Sequence, residues 1–328
     1  MMELVDMLRL ERNASRCAGS SPVPGTLLFV YTLLEMMYHV PVMVQQVIDH
    51  LPDRCINIVD GTLWHGWHTL QILKHIYNHH WECHVYGFDR DAEMISKAKT
   101  QLDHYLEDIT FVHDSYQHLH TCIADWSIPQ PCMILLDLWV NNDHFVQDYR
   151  WFSIQYEGPL DMRFDTRQYL TAADIIRDYS AWDLTDIFVK YGWFTPYQVK
   201  ACVDQIIHVR IYQQITTTTQ LKEICLWSHI HFSKLPALFQ SLRIQVNQEM
   251  NHLETFLNHI QDYMHTGMRV MIMTYHSLED RIVKYAFAHY VRQWYACLIN
   301  KKVIKPHYTE QQHNKKSRSA KLRILEIL

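Results

Sequence analysis

The sequence predicts an α/β protein built on a parallel, doubly wound sheet with a helical insertion. Three observations carry that expectation. The stretch Ile56 to His68 reads as a short buried strand (Ile56, Ile58, Val59) ending at Asp60, a tight turn at Gly61, and entry into an apolar-periodic helix from Thr69. Strand, glycine loop, helix is how a nucleotide-binding α/β unit begins, because glycine lets backbone approach a ligand and the helix N-terminus offers free N–H groups. Next, short apolar runs alternate with helical periodicity, the pattern of parallel strands joined by crossover helices. Finally, more than a hundred residues separate Asp137 from the next convincing strand at 270, too many for one crossover, so a second body is inserted there.

In order, Pro41, Val42, Val44, Val47, Ile48 and Leu51 give a helix leading to the first strand. Cys83 to Phe88 is the second strand and ends at Asp89, 23 residues beyond Gly66, near the spacing at which an acid holds a ribose hydroxyl. A helix over 92–106 precedes a strand at Ile109–Val112, and Cys132 to Leu136 is a strand ending at Asp137. Helices are expected at Ala172–Tyr179, Leu184–Tyr191, Tyr197–Val209 and Leu221–Trp227, the last capped from the polar stretch Thr216 to Thr219. One long helix then returns to the sheet, its apolar residues Val246, Met250, Leu253, Leu257, Ile260 and Met264 stepping by four and three. Val270 to Tyr275 is the strand that follows the Thr266-Gly267 turn.

Composition sets the outer bounds. With 328 residues, 48% apolar and 20% charged, the chain is an ordinary soluble protein of one large or two coupled domains. A net charge of −5 does not by itself announce nucleic acid. The C-terminal Lys301, Lys302, Lys305, Lys315, Lys316, Arg318, Lys321 and Arg323 form a basic run that suits either solvation or RNA phosphates. Eight cysteines with no C-x-x-C are expected to be reduced and mostly buried, and the scattered histidines to hold no metal. The apolar run Leu27 to Leu34 is too short to span a bilayer. Translation is expected to start at Met36 or Met37, leaving residues 1–37 as an extension that is disordered or not made.

Several blocks are far more specific. They are His39-Val-Pro-Val, Asp60-Gly-Thr-Leu-x-x-Gly-x-His68, Gly87-Phe-Asp-Arg-Asp91, Asp137-Leu-x-Val and Gly158-Pro-Leu-Asp-Met-Arg163. Phe239-Gln-x-Leu-Arg-Ile-x-Val-Asn247, His276-Ser-Leu-Glu-Asp-Arg-Ile-Val-Lys284 and Ser317-Arg-Ser-Ala-Lys-Leu-Arg323 follow in the same order. From His39 to Arg323 the chain resembles the bacterial small-subunit (16S) ribosomal RNA cytosine-N4 methyltransferases, the RsmH/MraW family. The resemblance implies a Rossmann-like S-adenosylmethionine domain at 38–145 and 240–328, and an inserted, mainly helical substrate-recognition domain at 146–239. It implies small-subunit ribosomal RNA or the assembling small subunit as partner, a cytoplasmic location, no membrane, and leaves a homodimer open.

Carried over by position, the resemblance puts the cofactor loop on Gly66, Trp67 and His68, the ribose acid on Asp89 and the adenine-side aromatic on Tyr116. It adds Asp137 as a further cofactor carboxylate, and His144 where the family has Gln. The family's paired serines appear as Asn141 and Asn142. Asp137, Asn142 and His276 are the candidate catalytic residues, with Asp161, Arg163, Glu279 and Asp280 beside them as acceptor-facing candidates. Three of these have a specific structural alternative, Asp161 and Arg163 pairing with each other and Asp280 capping a helix or pairing with Arg281.

Trp64, Trp67, Trp139 and Trp151 each stand where the family has Gly. The whole chain has 8 Gly against 10 Trp, so the shortage and the excess match. An indole at 67 is expected to fill space that the methionine or ribose part of the cofactor needs. The reading adopted is a gene whose UGA codons mean glycine, translated with a table giving Trp; UGG at these sites would overturn it. The competing reading is a catalytically inactive RNA-binding or ribosome-assembly factor on the same fold. A methyltransferase acting on protein or a small molecule is the third, disfavoured by the specific blocks.

Overall fold

The computed structural model describes residues 41–53, 55–139 and 157–328. The expected extension at 1–37, and Asn141, Asn142, His144 and Trp151, lie outside the described residues.

The first half alternates as the sequence predicts: α1 (Val44–Ile48), β1 (Asn57–Asp60), α2 (Trp67–Asn78), β2 (His84–Phe88), α3 (Ala92–Gln101), β3 (Ile109–Val112), α4 (Leu119–Ala124) and β4 (Met133–Asp137). Next come α5 (Ala172–Asp178), α6 (Ala181–Gly192), α7 (Pro196–Tyr212), α8 (Thr218–Trp227), α9 (Leu235–Asn247) and α10 (Glu249–His259). The chain then gives β5 (Arg269–Thr274), α11 (Ser277–Arg292), β6 (Ala296–Leu298), α12 (Tyr308–His313) and β7 (Lys321–Ile327). The seven strands order as β3-β2-β1-β4-β5-β7-β6. Every pairing among β1 to β5 is parallel, while β7 runs antiparallel to both β5 and β6.

Successive side chains on a strand point to opposite faces, and the core divides accordingly. Val59, Ile134, Leu136, Val270 and Ile272 pack under α10 and α11. Ile58, Met133, Leu135, Met271 and Met273 pack on the other face with α1 and α2. The helices between β4 and β5 bury a core of their own, including Ile175, Leu184, Phe188, Val203, Ile206, Leu221 and Leu238. Their starts are locally encoded. Thr171, Ser180, Thr195 and Thr217 each cap a helix through a reciprocal box with Asp174, Asp183, Gln198 and Gln220.

Three expectations are corrected. The long returning helix is two, because Gln248 adopts a left-handed backbone (φ 49°) that ends α9 and turns the chain into α10. Helix α9 places Leu238, Phe239, Leu242, Ile244 and Val246 in the helical core. Cys55 and Cys132 are joined in a disulfide with their Cα atoms 5.6 Å apart, because adjacent β1 and β4 bring the residues preceding each strand together. Cys83, Cys122, Cys202, Cys225 and Cys297 are free. Finally, the basic run is not one surface. Lys321 and Arg323 belong to β7 and grip Asp280 of α11 at 2.8 and 2.9 Å, so Asp280 pairs with them rather than with Arg281. Among the described residues no helix is long and apolar enough to cross a membrane.

Candidate functional site

Parallel strands end on one side of the sheet, and ligands of such folds lie in the crevice beyond those ends. The pocket here is lined by Gly61, Thr62 and Trp64 after β1, Asp89 and Arg90 after β2, Tyr116 after β3, and Asp137, Leu138 and Trp139 after β4. Phe164, Glu249, Met250, Leu253 and Glu279 close it from the helical side and from α11.

The turn after β1 is shaped by Gly61, where a Cβ would run into the side chain of Leu136. Beyond it, the Asp60 carboxylate accepts from the Thr62 N–H (3.2 Å) and the Thr69 hydroxyl (2.7 Å), tying the loop to α2. Asp89 is buried and accepts from the backbone N–H groups of Trp64 (2.9 Å) and Asp91 (2.8 Å). Burial pushes its carboxyl up to about 7, more than those two hydrogen bonds lower it. Asp137 is also buried, and desolvation raises its carboxyl although His68 and the Tyr275 hydroxyl oppose the shift. Its N–H donates to the Thr62 hydroxyl at 2.6 Å, joining the β1 and β4 ends.

Tyr116 opens a short helical turn after β3, buried edge-on to Phe256 with ring centres 5.8 Å apart. Arg90 donates to the Asn247 carbonyl at 2.9 Å, and its guanidinium lies over the Phe164 ring, 5.0 Å from the centroid. Asn247 in turn accepts from the Phe164 N–H (2.8 Å) and donates to the Met162 carbonyl (2.7 Å). One buried amide therefore fixes the Gly158–Phe164 segment against the end of α9. Asp161 and Arg163 form the two-pronged ion pair expected as their structural alternative, at 2.7 Å on both prongs.

Of the residues singled out from sequence, Asp89, Tyr116 and Asp137 meet in this pocket. Gly66, Trp67 and His68 do not line it. Gly66 caps α2 in a left-handed conformation (φ 76°), and a Cβ there would press on Leu102 of the neighbouring element, so its glycine serves packing. His68 is buried beneath the site, its Nε2 2.9 Å from the Val42 carbonyl oxygen and its Nδ1 3.7 Å from Asp137. Trp67 opens α2 and packs partly against the core on that face. It is Trp64, not Trp67, whose indole crosses the pocket, donating to the Asp137 carbonyl oxygen (3.3 Å) and meeting Phe164 edge-on at 6.2 Å. His276 caps α11 and lies 2.8 Å from Glu279, which itself accepts from the Tyr275 N–H at 2.8 Å. Thr62, Arg90, Phe164 and Glu249 were missed from sequence. Thr62 and Arg90 fall inside the specific blocks, Phe164 directly follows one and Glu249 lies two residues past another, which was the available signal.

Comparison with known proteins gives a consistent picture. A family model described as the MraW methylase family matches residues 36–328. The chain is similar to the Ribosomal RNA small subunit methyltransferase H of Halothermothrix orenii, 35% identical over 316 residues, covering 89% of this chain and 99% of that one. The protein of the same name from Elusimicrobium minutum is 33% identical over 293 residues, covering 88% and 98%. That of Bacteroides fragilis is 35% identical over 310 residues, covering 89% and 98%.

Proposed function

The chain belongs to the MraW methylase family, and on that premise we propose that it methylates the exocyclic N4 of a cytosine in small-subunit ribosomal RNA. Its reaction class is that of its relatives, S-adenosylmethionine-dependent methylation of small-subunit ribosomal RNA. The observation that carries the reading is a pair of buried carboxylates, Asp89 and Asp137, lining one pocket at the ends of β2 and β4 with Tyr116 between them in chain order.

The pocket fits the cofactor with one exception. Asp89 is a carboxylate whose burial is not fully offset by its two backbone donors, and a ribose diol supplies the missing donors. Tyr116 presents an aromatic ring for the adenine side, and Asp137 a carboxylate favourable to a cation. The exception is the Trp64 indole across the opening.

When bound, the cofactor supplies an electrophilic methyl on a sulfonium. The protein's work therefore falls on the acceptor, whose amine lone pair is delocalised into the cytosine ring. Asp137 and Glu279 face the pocket as hydrogen-bond acceptors for the amine N–H groups, which makes the nitrogen more nucleophilic as the new bond forms. His276 holds Glu279 in place. An unstacked base finds an aromatic face in Phe164 at the rim. The helical body formed by α5 to α9 then serves as the RNA-recognising insertion.

Calorimetry with S-adenosylmethionine tests the cofactor half: in the W64G chain, whose pocket is open, adding Asp89→Ala should abolish binding while leaving the fold intact. Labelled methyl from the cofactor, offered immature small subunits, should appear as N4-methylcytidine. Label in protein or on another base would overturn the acceptor assignment. The Trp64 indole favours one second reading, an inactive RNA-binding or assembly factor, which holds if W64G also fails to bind the cofactor.

A further inference from the structure

The backbone of the protein marks four tryptophans as a separate class. Trp64, Trp126, Trp193 and Trp294 have φ of 48°, 63°, 58° and 63°, in the left-handed region where a bulky side chain is strained. They are four of the nine described tryptophans, whereas all other described non-glycine residues together supply five such cases: Met43, His80, Met162, His229 and Gln248. The excess therefore attaches to one residue type.

Position sharpens the point. Trp193 is the residue at which α6 stops, while Trp126 and Trp294 each follow the capping residue of α4 and α11. A left-handed residue just past a helix is glycine's preferred place, because it has no Cβ to meet the preceding carbonyl. His80 and His229 make the same stop after α2 and α8, but histidine tolerates this conformation far better than an indole. Nor does packing compensate the strain. Trp126, Trp193 and Trp294 are 87%, 59% and 84% exposed.

Trp64 carries the same mark inside the pocket. Its N–H holds Asp89, a contact that any residue at 64 would make, while its side chain spans the opening from the Asp137 carbonyl to the Phe164 ring. The neighbouring Trp139 points the same way without strain, since its indole N–H is buried with no hydrogen-bond partner among the described residues.

We infer that the polypeptide made in the cell carries glycine at positions 64, 126, 193 and 294, and that glycine at 64 gives the cofactor pocket its aperture. Three of these positions lie outside the family-matched glycine sites, so the backbone reaches them independently of that resemblance. The second half of the inference rests on the cofactor reading above; the first does not.

Peptides of the protein from its own host, sequenced by mass spectrometry, should show glycine at 126, 193 and 294, with codons at those sites unlike that of an ordinary tryptophan. Tryptophan in the native peptide at any of the three overturns the assignment, and means exposed indoles held for contact with a partner. A recombinant pair tests the consequence: the W64G/W126G/W193G/W294G chain should melt at a higher temperature than the chain with four tryptophans and gain cofactor binding on calorimetry. Unchanged melting counts against the strain argument. Glycine in the native peptides together with no cofactor binding by the four-glycine chain would leave the residue assignment standing and sink the proposed methyl donor.

Discussion

Asp89 shows how much chemistry one side chain concentrates. Its two oxygens already accept two backbone N–H groups, so accepting a ribose diol as well uses every lone pair and requires the ionised form. With a carboxyl at about 7, cofactor affinity should rise as pH passes through about 7 and level off above it, measured by calorimetry across that range. Asp89→Asn should remove the dependence along with most of the affinity. The sign for folding is opposite. The unfolded carboxyl ionises near 3.8 and the folded one near 7, so Asp89's contribution to stability falls as pH rises between those values and is flat above. That Asp89 lines the pocket was legible from its place at a strand end, about twenty residues after a glycine turn. That Trp64 rather than Trp67 obstructs the pocket was not legible, because it depends on which way α2 turns its first residue.

Whole elements were legible where their signal is local. The capping boxes of α5 to α8 and the apolar runs of β1 to β4 depend on residues a few positions apart. The break at Gln248 was hidden because the apolar spacing continues across it from Val246 to Met250, and glutamine is not a turn signal. Strand β7 was hidden for a different reason. Its sequence Lys321-Leu-Arg-Ile-Leu-Glu-Ile does alternate, but its two cations were grouped with the basic run before it. Their task is to hold β7 to α11 through Asp280, whose side chain is only 15% exposed. Asp280→Ala should cost roughly 2–3 kcal/mol, because it leaves two half-buried cations without their carboxylate. Denaturant melts would check this, and an effect indistinguishable from zero would mean the clamp is ornamental.

At the scale of the whole molecule, removing Lys321 and Arg323 from the basic run leaves Lys301, Lys302, Lys305, Lys315 and Arg318 exposed around α12. If these neutralise RNA phosphates, the triple variant K301A/K302A/K305A should weaken RNA binding about equally across sequences. It should also reduce the slope of log affinity against log salt by about one for each lysine that contacts a phosphate. Cofactor affinity should not move, since none of the three lines the pocket. The parallel sheet and the presence of an inserted body were legible from the spacing of strands alone. The Cys55–Cys132 disulfide was not, because it joins residues 77 apart that only the pairing of β1 with β4 brings together.

The sheet order has a consequence for how the protein is made. Strand β7 is the last of the seven in chain order, yet it lies inside the sheet with β5 on one side and β6 on the other. A nascent chain cannot finish this sheet until residue 327 has cleared the ribosome, so β5 waits through synthesis with an open edge. Ribosome-tethered chains arrested before residue 321 should be cut rapidly by protease at the β5 to β6 region, while chains in which residues 321–327 have emerged resist. Closure of the sheet is thus deferred to its latest-made strand, although the neighbours that strand must join are already in place.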